Sequence, residues 1–388
     1  MKYRRFGRTD FQIPVISCGG MRYQESWKDD DPVSDKSQKN LEACIRKALD
    51  LGINHIETAR GYGTSEYQLG KILPELPRDE IFVQSKVEPS TDVEKFKDTF
   101  EKSMSLLNMD YLDIFSFHGI NTNKTLEAAL ACMDTVEQWK KEGRIRDIGF
   151  STHGLSDIII KAIRTGHFDH INLHYYYIWQ ENWPAIEEAQ KLDVGVFIIS
   201  PNDKGGLLYK PSEKLVELCA PLHPMVFNGL FCLSHPEIHT LSCGVSCPED
   251  FDIHIQTVEM LDQAHELLPP IMDRLEREME KVMGEEWARH WQDNLPIWKE
   301  TPDNMNLQWI LRLRNLALAY DMVEYGKMRY NLLGSGGHWF PGQQVKDLTN
   351  IDLAPALVGS TFANEIPAAL QEAHDMFKGE DKKRLQED

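Results

Sequence analysis

Through residue 244 the chain alternates two textures: short runs rich in β-branched and apolar residues, and longer stretches with apolar residues at helical spacing. The runs are VISCGG (15–20), NHIET (54–58), IFVQSKV (81–87), YLDIFSFH (111–118), RIRDIGFST (144–152), DHINLHYY (169–176), VGVFIIS (194–200) and HTLSCG (239–244). Between the first two, residues 37–52 set Leu41, Cys44, Ile45 and Ala48 at i, i+3, i+4 and i+7, with Gly52 behind them as a C-cap. Residues 125–143 end in two lysines and Gly143, as a last helical turn prefers, and read as one helix.

Runs that are apolar throughout belong to strands buried on both faces, and strict strand–helix alternation implies parallel neighbours joined by right-handed crossovers. Eight such units closing on themselves make an α/β fold of the (β/α)8 TIM type. The competing architecture is a doubly wound open sheet, but no G-x-G-x-x-G follows the first run, where a dinucleotide site of that fold needs it. Ahead of the barrel, KYRRF and FQIPV flank the turn GRTD and predict a β-hairpin. The stretch RYQESWKDDDPVSDKS (22–37) is an acidic loop at the rim, either a lid or solvated chain.

Composition narrows the class. The 388 residues carry a formal charge of -19, which repels nucleic-acid phosphate and anionic lipid, so neither is an expected partner. No apolar run approaches a membrane span, and Pro14 to Cys18 is too short for a signal-peptide core, so a soluble, cytoplasmic protein is expected. The seven cysteines are scattered and odd in number, which suits reduced thiols. Cys243 and Cys247 have no second pair nearby, and no metal site is expected.

Glu57, Tyr62, Lys86 and His118 lie where the second, third and fourth strands end, within HIETARGYGTSE, VQSKV and IFSFHG. Taken singly, Glu57 reads as an ion-pair partner, Tyr62 as a packed loop aromatic and His118 as a core histidine. Together, in this order, they resemble the catalytic tetrad of the aldo-keto reductase family, which usually has Asp where this chain has Glu57. The resemblance covers roughly residues 1 to 263 and implies reduction of a carbonyl. Tyr62 would give its proton to the carbonyl oxygen, Lys86 would stabilise the phenolate, Glu57 would hold Lys86, and His118 would orient the substrate. It also implies that the hairpin plugs the barrel's lower end.

The same resemblance implies a nicotinamide cofactor, NADPH or NADH. Gly20 and Met21 follow the first strand at that site. Ser151, in Ser151-Thr152-His153, matches the first member of a Ser-Asn pair, and Asn172 is the nearest match to a Gln. Ile199 stands where an aromatic often stacks, ahead of Ser200. SPNDKGGLL (200–208) looks like the pyrophosphate-covering loop, with Gly205 and Gly206 letting backbone N–H groups approach phosphate. SCGVSCPEDFDIHI (242–255) is similar to the adenosine-phosphate motif: Gly244, Glu249 and Asp250 follow the pattern, while Ser246 replaces the basic residue and His254 the Asn. A hydroxyl is a poor substitute for a guanidinium against a 2′-phosphate. NADH acceptance, a basic residue from elsewhere, or weak binding are the readings left.

Beyond residue 263 helical text takes over, and residues 264–388 read as a separate α-helical domain. DNLP, TPDNMN, LRLRNLALAY, GKMRYNLL and GGHWFPG resemble the text around the clusters in the C-terminal ferredoxin-like domain of one family branch. The cluster cysteines are absent: Ala288, Trp291, Asn294 and Trp298 take the ligand slots, and no cysteine follows Cys247, so no Cys-ligated iron–sulfur cluster is expected. Trp287, Trp291, Trp298, Trp309 and Trp339 would form an aromatic core in its place, or else a patch for a protein partner. The tail would also close over the barrel mouth. Two function classes follow: a reductase of small carbonyl substrates, or a weakly active barrel that binds a nucleotide or a partner.

Overall fold

The computed structural model describes residues 1–335, 341–345, 348 and 350–380. Two antiparallel strands, β1 (Tyr3–Arg5) and β2 (Gln12–Pro14), form the hairpin, with Tyr3 opposite Pro14. Eight parallel strands follow: β3 (Ile16–Gly19), β4 (His55–Glu57), β5 (Phe82–Val87), β6 (Leu112–His118), β7 (Ile145–Ser151), β8 (His170–Leu173), β9 (Gly195–Ile198) and β10 (Thr240–Gly244). They close in sequence order, β10 pairing with β3, into a (β/α)8 barrel. Each of the eight runs is one barrel strand, shortened by one to four residues in all.

The hairpin's apolar face explains its place. Phe6, Phe11 and Ile13 are buried with Ile114 and Phe197, and the Phe6 ring lies 5.5 Å from that of His170. Gly195 admits this packing: an added Cβ would stand 2.7 Å from Phe6. Above the plug the interior is polar. His55 Nε2 bonds Gln84 Oε1 at 3.0 Å, Gln84 donates to Ser116 at 2.8 Å, Ser116 meets His170 Nε2 at 2.8 Å, and His170 Nδ1 contacts Asp147. All are fully buried, and the network pairs most of their polar atoms, leaving His55 Nδ1 and Asp147 Oδ2 without a partner among the described residues.

The helix over residues 37–52 forms as Asp35–Asp50, with Ser34 capping its N-terminus and Gly52 beyond its C-cap at φ +78°. The stretch 125–143 forms two helices instead of one, Asn123–Ala131 and Met133–Lys141. The break falls at Cys132, whose N–H bonds the Ala129 carbonyl and whose thiol donates to Ser90 O at 3.0 Å. Among the described residues no single helix is long and apolar enough to cross a membrane; one bent pair, Glu213–Cys219 with Pro224–Leu233, passes by length and composition.

The chain forms two compact units. One comprises Met1–Gly205 and Met225–His265; the other comprises Gly206–Pro224 and the chain from Glu266 onward, so residues 206–224 group with the tail. The second unit is helical, with long helices Ala264–Met283, Leu307–Tyr320 and Ile366–Phe377. Its core is largely Leu, Ile, Tyr and Phe, including Ile310, Leu313, Tyr330, Leu370 and Phe377. Trp287 and Trp309 join that core, and Trp287 donates to Asn315 at 3.1 Å. Trp291 and Trp298 are only half-buried, and Trp339 lies outside the described residues. Among the described residues, the aromatic core expected from sequence is therefore two tryptophans within an aliphatic and tyrosine-rich one.

Candidate active site

Strand register places the site. Gly19 pairs with Glu57 and Gly244, while His118 pairs with Ser151 and Ser151 with Asn172, so the strand ends form one rim. β4 ends at Glu57 and β5 carries Lys86 one residue from its end, both almost fully buried. The Lys86 ammonium contacts Glu57 Oε1 directly and donates to Thr58 O at 2.9 Å and to Tyr62 Oη at 3.4 Å. Ser242, on β10, donates to the other Glu57 oxygen at 3.3 Å. Gly19 gives the longer carboxylate room, because a Cβ there would sit 3.3 Å from Glu57 Oε2 and 2.7 Å from Ser242 Oγ. Gly20 is needed for a similar reason: its N–H donates to Glu57 O at 2.7 Å, and a Cβ would stand as close to that carbonyl.

Tyr62 rises from the turn after β4. Its ring meets the His118 ring edge-on at 5.7 Å and the Trp27 ring at 6.5 Å. The turn is tied to the acidic loop 22–37: Thr64 N–H donates to Ser26 O at 2.9 Å, and Ser26 and Glu25 N–H groups each donate to Thr64 Oγ1 at 3.1 Å. Gly63, at φ +52°, must be glycine, since a Cβ would collide with Ser26 O. Asp29 pairs with Arg60 and, at 2.6 Å, with Lys102. This loop is thus a fixed wall of the Tyr62 turn.

Electrostatics follow from burial. Exclusion from water pushes the Tyr62 phenol up, so it stays protonated, and pulls the Lys86 ammonium well down. The Glu57 carboxylate in contact opposes that pull on Lys86. Burial, then the nearby Lys86 and Lys204 charges, lowers His118 to about 3, so its imidazole is neutral. Its Nδ1 is buried without a hydrogen-bond partner.

Of the expected cofactor residues, Ser151 Oγ accepts the Gly119 N–H at 3.2 Å beside His118. Asn172 is fully buried, and its amide nitrogen has no partner, a donor awaiting an acceptor. Ser200 has φ +51°, and Gly205 sits where a Cβ would collide with the Pro201 carbonyl, which also accepts from Asn228 at 2.9 Å. Met21 is half-buried after Gly20. Gly244 ends β10; Ser246, Asp250 and the buried His254 follow it. Gly206, at φ +134°, belongs to the second unit and packs on Leu208 and Met322.

Ser242, Thr58 and Trp27 escaped the sequence reading, and only Trp27, an aromatic within an acidic loop, left a signal. A hydrogen-bonded chain at the rim was also unforeseen. His153 Nδ1 lies 2.5 Å from His174 Nε2, His174 Nδ1 lies 2.6 Å from Tyr176 Oη, and Tyr176 donates to Ile199 O. A carbonyl only accepts, so the donors run from His153 toward Ile199.

Four barrel histidines predict a pH response. Burial lowers His55 and His118 to about 3 and His239 and His254 to about 4. The unfolded chain protonates them near 6.5, so the unfolded state binds more protons below that value and stability falls as pH drops toward 4. The urea midpoint is expected to be lower at pH 5 than at pH 7.5; an unchanged midpoint contradicts neutral burial.

Comparison with known proteins bears on the family and the fold. The chain is 26% identical to an uncharacterized oxidoreductase, YqkF, of Bacillus subtilis, over 61% of this chain and 75% of that protein. It is 25% identical to the L-glyceraldehyde 3-phosphate reductase of Escherichia coli K12, over 39% of this chain and 46% of that protein. With several other curated relatives the match spans about half of their length. Among solved structures, the holo form of aldo-keto reductase AKR11C1 from Bacillus halodurans superposes with a TM-score of 0.58 at 21% identity, over 70% of this chain and 97% of that one. The thermostable aldo-keto reductase Tm1743 gives 0.57 at 21% identity, over 69% and 100%. Residues 15–219, more than half of the 388, match the Aldo/keto reductase family, and the chain belongs to that family of oxidoreductases.

Proposed function

We propose that this protein reduces an aldehyde or ketone to the alcohol, or runs the reverse reaction, with Tyr62 as general acid and base. The observation that carries the proposal is the Lys86 ammonium, locked between Glu57 and Thr58 O and 3.4 Å from the Tyr62 hydroxyl. The residues at the rim fit a nicotinamide dinucleotide. The unpartnered amide of Asn172 and Ser151 would hold its carboxamide end, Gly20, Met21, Ser200 and Gly205 its middle, and Gly244, Ser246, Asp250 and His254 its adenosine end. When bound in reduced form, that cofactor supplies the hydride.

The chain's own residues handle the proton. Neutral His118 donates a hydrogen bond to the carbonyl oxygen and fixes it beside Tyr62. The Tyr62 hydroxyl, protonated at neutral pH, delivers its proton to that oxygen as negative charge develops there. The phenolate left behind forms next to Lys86, in a site dry enough for the attraction to count. Glu57 keeps the ammonium in register, and Ser242 keeps Glu57 in place. Relatives bear reductase names on small carbonyl compounds, which supports a substrate of that class.

Mixing the protein with reduced nucleotide and 4-nitrobenzaldehyde is expected to cause nucleotide oxidation that depends on the aldehyde and saturates with it. No aldehyde-dependent oxidation with this probe or methylglyoxal would count against the proposal.

A further inference from the structure

We propose that the adenosine end of this site is built for NADH and rejects the 2′-phosphate of NADPH, with Asp250 as the specificity-determining residue. The inference rests on the dinucleotide reading above. After β10, residues 245–250 lead into the helix Phe251–Met260. Backbone N–H groups just ahead of a helix are where a phosphate would be welcomed. Here the chain's own carboxylate takes them: Asp250 Oδ2 accepts from the Ser246 N–H at 2.7 Å and from the Cys247 N–H at 3.3 Å. Asn40 donates to Ser246 O at 2.7 Å and fixes the segment from the helix Asp35–Asp50.

Charge points the same way. Between Gly244 and His254 lie Glu249, Asp250 and Asp252, with no lysine or arginine. Two neighbouring cations, Arg22 and Lys47, already face carboxylates. The Arg22 side chain lies across Gly244, where a Cβ would be 3.0 Å from its Cδ, and its guanidinium faces Asp203 at 3.9 Å. Lys47 faces Asp252 at 3.6 Å. Burial keeps His254 neutral, so it adds no positive charge at pH 7. A phosphomonoester brought to this segment meets a like charge and spent donors, whereas a ribose 2′-hydroxyl can donate to a carboxylate with acceptor capacity to spare.

Parallel fluorescence titrations of the full chain with NADH and NADPH test this. The wild-type Kd for NADPH should exceed that for NADH by about tenfold or more. Asp250→Asn, which retains an acceptor for the two N–H groups, should shrink that ratio several-fold by tightening NADPH. Ser246→Arg should shrink it further with the Asp250 bonds in place, and it carries the test if Asp250→Asn does not fold. Equal wild-type affinities, or an Asp250→Asn that shifts both constants by one factor, overturn the inference and leave the dinucleotide reading standing. Binding of neither nucleotide overturns both.

Discussion

Replacing Tyr62 by Phe is expected to lower kcat for aldehyde reduction by about 10³-fold, within the range that a positioned proton donor contributes. Phenylalanine keeps the ring, and with it the edge contacts to His118 at 5.7 Å and Trp27 at 6.5 Å, so the turn and the fold should persist. The lost hydroxyl is the group 3.4 Å from the Lys86 ammonium. Nucleotide Kd should therefore hold while kcat collapses. Steady-state kinetics with nucleotide titration separate the two, and a fall below tenfold would mean that another group protonates the carbonyl.

The second large effect is on the buried pair. Lys86→Met removes the ammonium and leaves the Glu57 carboxylate, among the described residues, with the side chain of Ser242 alone, at 3.3 Å, in a buried site. Breaking such a pair from one side costs about 3–5 kcal/mol. Activity should fall with it, since the Tyr62 phenolate loses its counterion. The double variant Glu57→Gln/Lys86→Met should recover most of the stability and none of the activity. Glu57→Gln alone makes a different prediction: with burial pulling Lys86 down unopposed, the ammonium is lost as pH rises, so kcat should decline on the alkaline side earlier than in the wild type. Denaturation midpoints and pH profiles for the three variants decide this; equal stability of the single and double variants would show that the pair is not coupled.

What the sequence reveals depends on where the information lies. Strands buried on both faces are short runs rich in β-branched and apolar residues, and all eight were readable as such. The hairpin was readable because the polar turn GRTD separates two short segments that can pair, KYRRF and FQIPV. Tyr62, Lys86 and His118 were legible from local text and its order. Ser242 was not, because its role comes from a strand register that joins β10 to β4 through Gly19, 185 residues from Glu57. Trp27 and Thr64 gain their meaning from contacts between two loops. The break at Cys132 has no glycine or proline to announce it, only a thiol that finds Ser90 O. The stretch 200–208, which resembles a cofactor loop, is split between the units at Gly205 and Gly206, and residues 206–224 group with the helical unit, an outcome of long-range packing that local pattern does not encode.

Glu57 shows how a departure is accommodated. One more methylene than Asp needs space, and the side-chain-free Gly19 beside it provides that space while Ser242 fixes the second oxygen. The ammonium of Lys86 is thereby held against both Glu57 and Tyr62.

The most direct test of hydride transfer with Tyr62 as proton donor is the fate of deuterium from NADH deuterated at both C4 positions, incubated with 4-nitrobenzaldehyde and the protein. The account predicts deuterium on the carbinol carbon of the alcohol formed by the wild-type protein and about 10³-fold slower labelling by Tyr62→Phe. Alcohol without the label, or equal labelling by the two proteins, would contradict it.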